Sequence, residues 1–256
     1  MAFFIFRVKI LNRLQMKKII DKEILPNGVV ILTMNNPEVN NNVTWKAVED
    51  LYLEIKDSRE SGSNIFILAS ALDDHWFEHA WLEDILALYE GRETTAPGVS
   101  WFYLMKEITH PDIISISSIN GRASGGGAEI GWACDFRIVE EDVKFCQPEI
   151  DLNLTTGLGG TSRLARLIGP TKAAELIYLG SEFSAEYIYE LKGINEIVKR
   201  GNSLESSIEL ANKLSKKPKD ALSLLKKILN DSHELPLTSA LTVSYTHLRA
   251  HETSLQ

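Results

Sequence analysis

Apolar residues along the chain alternate between short β-branched runs and longer stretches with the period of a helix. The β-branched runs are bounded by Gly, Pro, Asn or Asp, a pattern typical of buried strands. The first run follows the turn sequence Pro26-Asn27-Gly28, and the segment that opens at Met16 leads into this strand. We predict strands or short extended pieces at Val29–Met34, Ile65–Ala69, Ile113–Ile119, Phe136–Val139 and Lys144–Phe145.

The longer stretches place their apolar residues on one face of a helix. Thr44–Ser58 shows this most clearly, because Val48, Leu51 and Ile55 recur at helical spacing. Pro111 ends the third helix, since proline cannot continue the hydrogen-bond pattern. We predict helices at Thr44–Ser58, His79–Tyr89, Val99–Ile108, Ala128–Cys134, Thr161–Leu167, Thr171–Leu179, Ala185–Leu191, Leu204–Leu214 and Pro218–Leu229, with a last turn near Leu237–Leu241.

Strands and helices alternate as far as Gly160, and the rest of the chain is almost wholly helical. This order is typical of βαβ units followed by a helical C-terminal part. It predicts the α/β class with right-handed crossovers. No internal repeat, coiled-coil heptad or long linker interrupts the sequence.

The composition is that of an ordinary globular protein, with 256 residues, 44% of them hydrophobic and 24% charged. The 27 Lys and Arg residues against 35 Asp and Glu give a formal net charge of −8. Proteins that bind nucleic acids through phosphate contacts usually carry a basic surface, so this charge argues against that class. It leaves open a small basic pocket for one phosphorylated ligand.

Cysteine and histidine usage points away from disulfide and metal sites. Cys134 and Cys146 are too few for a disulfide scaffold, and the sequence contains neither a CxxC pair nor an HExxH motif. A reduced, cytoplasmic location is therefore the expectation. His247 and His251 stand at i,i+4 spacing, but in a segment that we expect to be non-native.

Both ends of the chain are unusual. Residues 1–15 read as a possible mis-called start, because Met16 opens a more ordinary cytosolic N-terminus. Their apolar residues are interrupted by basic ones, so neither a secretory signal nor a membrane anchor is predicted. Residues 243–256 break the preceding helical pattern and are expected to be a non-native tail.

Three consecutive glycines, Gly125–Gly127, stand between a predicted strand and a predicted helix. A dinucleotide-binding GxGxxG motif would need glycine at Ile130, and a P-loop would need lysine at Trp132. What remains is a helix start whose free N–H groups could bind a small anion such as an oxyanion. A purely structural turn is at least as compatible with the three glycines.

Two glutamates add chemistry to this region. Glu129 stands among apolar residues in the first helical turn after the glycines, and Glu149 follows in the sequence QPEI. Burial of a carboxylate is costly unless it is hydrogen-bonded or functional. For an arbitrary pair, two solvent-facing side chains would be the more frequent arrangement. In a shared apolar pocket, the pair could hold a water between them and act as base and acid.

Three segments resemble the crotonase (enoyl-CoA hydratase/isomerase) superfamily: SSINGRASGGGAEIGWACDFRI, FCQPEIDLNLTTGLGGTSRLARLIG and AAELIYLGSEFSAEYIYELKGINEIV. The resemblance spans Asn27 to Leu241. It implies an α/β fold, a crotonase-like spiral of repeated ββα units with a helical C-terminal trimerisation region. The spiral core with the active site would occupy residues 16–197, and the helical region residues 198–242. Family members have further helices beyond this point, so the helical region is expected to be truncated.

The resemblance also assigns roles to residues. Ala80 and Gly126 match the two backbone donors of an oxyanion hole, and Glu129 and Glu149 match the hydratase carboxylates. In that mechanism Glu129 accepts a proton from the attacking water and Glu149 protonates C2. The remaining matches are positions that contact the water or the substrate, namely Gly125, Gly157, His79 and Trp81.

Four positions depart from the family pattern. Trp81 and His79 stand where aspartate and glycine are common beside the first oxyanion donor. Asn153 and Thr156 replace a glycine and a proline in the loop after the second glutamate. The Thr156 hydroxyl could bind the pocket water, or the loop could simply tolerate it. These departures leave the substrate open.

The expected function is that of an enoyl-CoA hydratase, which adds water across a 2-enoyl-CoA thioester. The alternatives are an enoyl-CoA delta-isomerase that uses Glu149 alone, and a non-catalytic protein that binds acyl-CoA or a partner. The expected ligand is an acyl-CoA thioester, with coenzyme A as part of the substrate and no other cofactor or metal. Neither nucleic acid nor membrane is an expected partner. A homotrimer or a dimer of trimers is expected if the C-terminus is intact.

Overall fold

The computed structural model describes residues 18–232 and 234–242, so both segments expected to be non-native lie outside the described part. The strands form two sheets and include all five predicted pieces. They are β1 Ile20–Ile24, β2 Val30–Met34, β3 Ile65–Ser70, β4 Ile114–Ile119, β5 Ala123–Ser124, β6 Phe136–Glu140, β7 Lys144–Cys146, β8 Phe183–Ser184 and β9 Glu196–Val198.

The helices alternate with these strands and become predominant after Gly160, as the apolar pattern predicts. They are α1 Trp45–Glu60, α2 Leu82–Tyr89, α3 Ser100–Ile108, α4 Gly125–Ala133, α5 Gly160–Ile168, α6 Pro170–Leu179, α7 Ala185–Glu190, α8 Ser203–Leu214 and α9 Lys219–Ser232. Two short 3₁₀ helices occupy Pro37–Val39 and Pro148–Leu152. Residues 237–242 form a last helical segment.

The main sheet has the strand order β1-β2-β3-β4-β6-β9. β1 pairs antiparallel with β2 across the turn at Pro26-Asn27-Gly28, and the remaining neighbours are parallel. A smaller sheet, β5-β7-β8, lies beside the start of α4. This mixed α/β architecture confirms the predicted class.

Both faces of the main sheet are buried, because successive side chains of a strand point to opposite sides. Leu32 and Leu68 belong to the larger apolar core, which includes residues of α1, α3 and α4. Ile31 and Ile67 belong to a second core on the other face, which Ala211 of α8 completes. Continuous apolar runs are therefore the expected signature of these strands.

Lys226 of α9 is 5% exposed and fastens this C-terminal helix to the rest of the fold. Its ammonium group donates to the carbonyl oxygens of Ile108 (3.0 Å) and Ile113 (2.7 Å) and lies 2.7 Å from Asp135 Oδ2. The three acceptors satisfy a charge that would otherwise be very costly to bury.

The expected boundary between the spiral core and the helical C-terminal region, at residues 197/198, falls within β9, a strand of the main sheet.

In the described part of the chain, no helix is long and apolar enough to cross a lipid bilayer. The same residues contain no group of three or more His, Cys, Asp or Glu side chains that could hold a metal ion. His247 and His251 lie outside the described residues.

Candidate active site

A cavity of about 540 Å³ lies between the loop that leads into α2, the start of α4, and the chain that follows β7. Six of the eight residues predicted to act here line it: His79, Ala80, Gly126, Glu129, Glu149 and Gly157. Gly125 and Trp81 are each adjacent in sequence to a lining residue, but neither of them lines the cavity. The rest of the lining is mainly apolar and includes Trp45, Leu82, Ile85, Trp101, Phe102, Leu152 and Leu154.

The loop before α2 is extended, so the prediction of a helix from His79 is wrong. Val43 and Ala80 form a parallel bridge, in which the Val43 amide donates to the His79 oxygen and the Trp81 amide donates to the Val43 oxygen. The helix begins only at Leu82. Because alternate amides of an extended chain point in opposite directions, this pairing leaves the Ala80 N–H on the side away from Val43.

Helix α4 begins at Gly125, three residues earlier than predicted, so the three glycines form its first turn. Side chains would not fit here, since a Cβ on Gly127 would lie 2.0 Å from the Phe77 oxygen. The Gly127 amide donates to the Glu78 oxygen at 3.0 Å. This contact holds the start of α4 against the loop that carries Ala80.

Two backbone N–H groups remain unpaired at this junction. Among the described residues, neither the Ala80 amide nor the Gly126 amide has a hydrogen-bond acceptor. The Ala80 nitrogen lies 3.6 Å from the position that a Cβ on Gly126 would occupy. A pair of free amides at a helix start can stabilise a small negative charge, such as an oxyanion.

Glu129 is 2% exposed, and one of its carboxylate oxygens accepts hydrogen bonds from two backbone amides. Its Oε1 accepts hydrogen bonds from Leu158 N (2.8 Å) and Gly160 N (2.6 Å) at the start of α5. Burial raises the pKa of the carboxyl, while the amides of Gly160, Leu158 and Gly157 act in the opposite direction. The Glu129 carboxylate is thus buried but stabilised by N–H donors.

Glu149 has a different environment within the same cavity. Its Oε2 is buried and has no hydrogen-bond partner in the described structure. Burial, together with the charge of Glu129, raises the pKa of Glu149 to about 7 from an ordinary value of 4.5. The two glutamates therefore share one cavity but differ in their hydrogen bonding.

Three of the departures from the family pattern have local structural roles. Asn153 takes the left-handed conformation (φ 54°) that ends the 3₁₀ helix Pro148–Leu152, which explains how it replaces a glycine. The Thr156 hydroxyl accepts a hydrogen bond from Thr161 N at 3.0 Å, so it is engaged with the start of α5. His79 Nδ1 lies 3.0 Å from the Ala80 oxygen, which assigns the proton to Nδ1.

Sequence reasoning missed a buried group behind the two free amides. The Glu78 carboxylate, 3% exposed, accepts hydrogen bonds from His75 Nδ1 (2.8 Å), Arg122 Nη1 (2.8 Å) and Ser124 Oγ (2.5 Å). Ser124 Oγ in turn accepts the His79 N–H at 3.1 Å. The sequence signal was a lone acid in the aromatic run HWFEHAW, with serine immediately before the three glycines.

Comparison with known proteins identifies one family. The sequence model described as enoyl-CoA hydratase/isomerase matches residues 25–254. A crotonyl-CoA hydratase from Syntrophomonas wolfei is 30% identical over 233 residues, which cover 88% of this chain and 85% of that protein. A short-chain-enoyl-CoA hydratase from Clostridium acetobutylicum is 28% identical, with 87% and 84% covered.

Solved structures agree on the fold. The crystal structure of an enoyl-CoA hydratase from Bacillus anthracis superimposes with a TM-score of 0.82 at 27% identity, covering 91% of this chain and 90% of that one. The predicted crotonase-like spiral is therefore confirmed as the architecture of the described chain.

Proposed function

The chain belongs to the enoyl-CoA hydratase/isomerase (crotonase) family, and from this premise we propose that it hydrates 2-enoyl-CoA thioesters to 3-hydroxyacyl-CoA thioesters. The observation that carries the proposal is the unequal pair of glutamates in one apolar cavity, beside two free backbone amides. Each of these features matches one requirement of the reaction.

Attack of water on C3 of the enoyl group moves negative charge onto the thioester oxygen. The Ala80 and Gly126 amides supply two donors for that charge, and their backbone positions are held by hydrogen bonds before the substrate arrives. Donors that are already oriented need no reorganisation during the reaction, which is the main advantage of an oxyanion hole.

The two carboxyl groups suit different steps. Glu129, with Oε1 held by two amides, is the base that takes a proton from water as its oxygen bonds to C3. Glu149, whose pKa of about 7 leaves it substantially protonated at neutral pH, delivers a proton to C2 of the enolate. Exchange of one proton between the two carboxyl groups and solvent restores the starting state.

Water addition neither oxidises nor reduces the substrate, and the two glutamates and two amides account for every proton and charge that moves. The proposed reaction therefore uses no metal or redox cofactor, and coenzyme A enters only as part of the substrate.

The test is to measure hydration of crotonyl-CoA by the loss of its conjugated-enoyl absorbance, with a 3-enoyl-CoA assayed in parallel. We expect water addition to crotonyl-CoA in the wild type and a loss of at least about 100-fold in kcat in both Glu129→Gln and Glu149→Gln. Hydration at the wild-type rate in both variants would exclude the two-carboxylate mechanism.

A delta-isomerase is the second candidate, because the unpartnered oxygen of Glu149 could move a proton between two carbons without Glu129. In that case the 3-enoyl-CoA would be converted to its 2-enoyl isomer, and Glu129→Gln would retain the activity. A non-catalytic role would leave both substrates unchanged while acyl-CoA still bound.

Assembly follows the same premise. We propose a homotrimer or a dimer of trimers, as the family resemblance implies. Large apolar side chains of the C-terminal helices, including Leu225, Leu229 and Leu241, are more than half exposed in the single chain, which supports assembly. Light scattering after gel filtration measures the mass directly, and a monomeric mass would contradict this proposal.

A further inference from the structure

The residues that line the active-site cavity fall into a buried group and an exposed group. Trp45 and Trp101 are each 6% exposed, whereas Phe102 is 66% and Leu152 is 50% exposed. The cavity is therefore open to solvent beside Phe102 and Leu152. It is closed at the end formed by the two tryptophans.

If the function proposed above holds, this asymmetry allows a bound thioester only one orientation in the cavity. With the thioester oxygen at the Ala80 and Gly126 amides, the large and charged coenzyme A portion must leave through the open end. The acyl carbons beyond C3 then extend toward the closed end. The Trp101 ring stands there, its Cη2 3.0 Å from the position of a Cβ on Gly126.

The closed end is firmly built around Trp45. Two ring carbons of Trp45 lie 3.0 and 3.1 Å from the position of a Cβ on Gly98, so the loop before α3 packs directly on the indole. Asp84, fully buried, accepts hydrogen bonds from Trp45 N (2.9 Å) and Thr95 N (2.7 Å). The start of α1, helix α2 and the loop before α3 are thus joined at one carboxylate.

Further along, α1 and α3 remain in contact. The Tyr52 and Tyr103 rings have centroids 5.4 Å apart, and Arg59 Nε lies 2.8 Å from Glu107 Oε2. A long acyl chain that passed the tryptophans would have to separate these two helices. Such a chain would be accommodated only at the cost of those contacts.

We propose that Trp101, supported by Trp45, forms the end of the acyl subsite and restricts the protein to short-chain 2-enoyl-CoA substrates. The restriction is steric, because both indoles belong to the close-packed apolar core and would have to displace neighbouring side chains to retreat from the cavity. One methylene group that a pocket cannot accommodate changes discrimination by about 10–200-fold.

The test is a chain-length series of 2-enoyl-CoA substrates with four, six, eight and ten acyl carbons. For the wild type we expect kcat/KM on decenoyl-CoA to be at least about 100-fold below that on crotonyl-CoA. Trp101→Ala should reduce the difference in kcat/KM between crotonyl-CoA and decenoyl-CoA at least 10-fold, mainly because kcat/KM rises on the longer chains. Tyr89→Ala is the matched aromatic truncation, since Tyr89 is 76% exposed at the end of α2 and does not line the cavity, and it should keep the wild-type preference.

Binding of butyryl-CoA and decanoyl-CoA, measured by calorimetry, separates this inference from the proposed hydratase activity. A protein that hydrates crotonyl-CoA and decenoyl-CoA equally well would overturn the chain-length inference and leave the hydratase proposal intact. A protein that hydrates neither substrate, yet binds butyryl-CoA much more tightly than decanoyl-CoA, would overturn the hydratase proposal and leave the chain-length inference intact. If Trp101→Ala does not fold, Trp101→Leu provides the same comparison with a smaller cavity.

Discussion

The Ser124 hydroxyl accepts the His79 N–H at 3.1 Å and thereby joins the two chain segments that supply the free amides. Ser124 immediately precedes the helix that carries Gly126, and His79 immediately precedes Ala80. The same hydroxyl donates to the buried Glu78 carboxylate, which fixes its orientation. The Ser124 side chain therefore adds to the Gly127–Glu78 backbone contact in aligning two donors that must converge on a single oxygen atom.

Replacement of Ser124 by alanine is expected to lower kcat for crotonyl-CoA hydration about 10-fold. Complete loss of an oxyanion-hole donor costs about 10²–10³ in kcat, and this variant only loosens the alignment of two donors that stay in place. The affinity for saturated butyryl-CoA should change little, because the ground-state thioester carries less charge on its oxygen. Steady-state kinetics and calorimetric titration measure the two quantities.

Ser118→Ala is the matched control, since Ser118 Oγ is also buried but has no hydrogen-bond partner in the described structure. It should retain wild-type kcat. Equal losses of kcat and of butyryl-CoA affinity in Ser124→Ala would contradict a positioning role and indicate general disruption.

Glu129→Gln is expected to reduce kcat by about 10²–10⁴, the usual contribution of a general base. The amide oxygen of glutamine can still accept the Leu158 and Gly160 N–H groups, so the loop should keep its place while the base is lost. Rates on crotonyl-CoA measure the effect, with circular dichroism to verify folding. Glu186→Gln, at an exposed position of α7, is the control and should behave as wild type. An unchanged rate in Glu129→Gln would remove this residue from the mechanism.

Lys226→Met is expected to lower the free energy of unfolding by about 3 kcal/mol, because loss of one partner of a buried ion pair leaves the other uncompensated. Asp135 and two carbonyl oxygens would lose their common donor. Urea titration followed by fluorescence measures the change, and exposed Lys227→Met provides the control. A difference below about 1 kcal/mol between the variants would show that α9 is held mainly by apolar packing.

The buried strands were predictable because their β-branched runs are continuous, as in Ile65–Ala69, and both faces of the sheet are covered. Strands β1, β5, β8 and β9 were missed. The two or three residues of β5, β8 and β9 carry little periodic signal, and β1 is mostly polar, since Asp21, Lys22 and Glu23 stand between its two isoleucines. The start of α4 was placed too late because glycine is a poor helix former, yet here Gly127 is required by its contact with the Phe77 oxygen.

The candidate site, like the fold, could be predicted from the sequence only in part. Glu129 and Glu149 could be named from an apolar context and a family resemblance. Their shared cavity and unequal hydrogen bonding depend on contacts between residues distant in sequence, which no local pattern contains. Glu78 is a clear case, because its partners Arg122 and Ser124 are 44 and 46 residues away in sequence, and its role appears only when the two segments are packed together.

The pKa of Glu149, about 7, predicts how activity depends on pH. The proposed acid must be protonated in the free enzyme, so kcat/KM should fall as pH rises through about 7. The same group also affects stability. Its pKa is higher in the folded than in the unfolded state, where 4.5 is the ordinary value, so folding is favoured by its protonation. This contribution is complete below the unfolded pKa and is lost as pH rises from about 4.5 to 7.

Glu149→Gln tests both effects, because glutamine is isosteric and does not titrate. Its residual activity should no longer show the decline near neutral pH, and its free energy of unfolding should vary less than that of the wild type between pH 4.5 and 7. Kinetics and urea titrations across this interval supply the two curves. A variant that kept the wild-type decline in kcat/KM would assign the titration to a group other than Glu149.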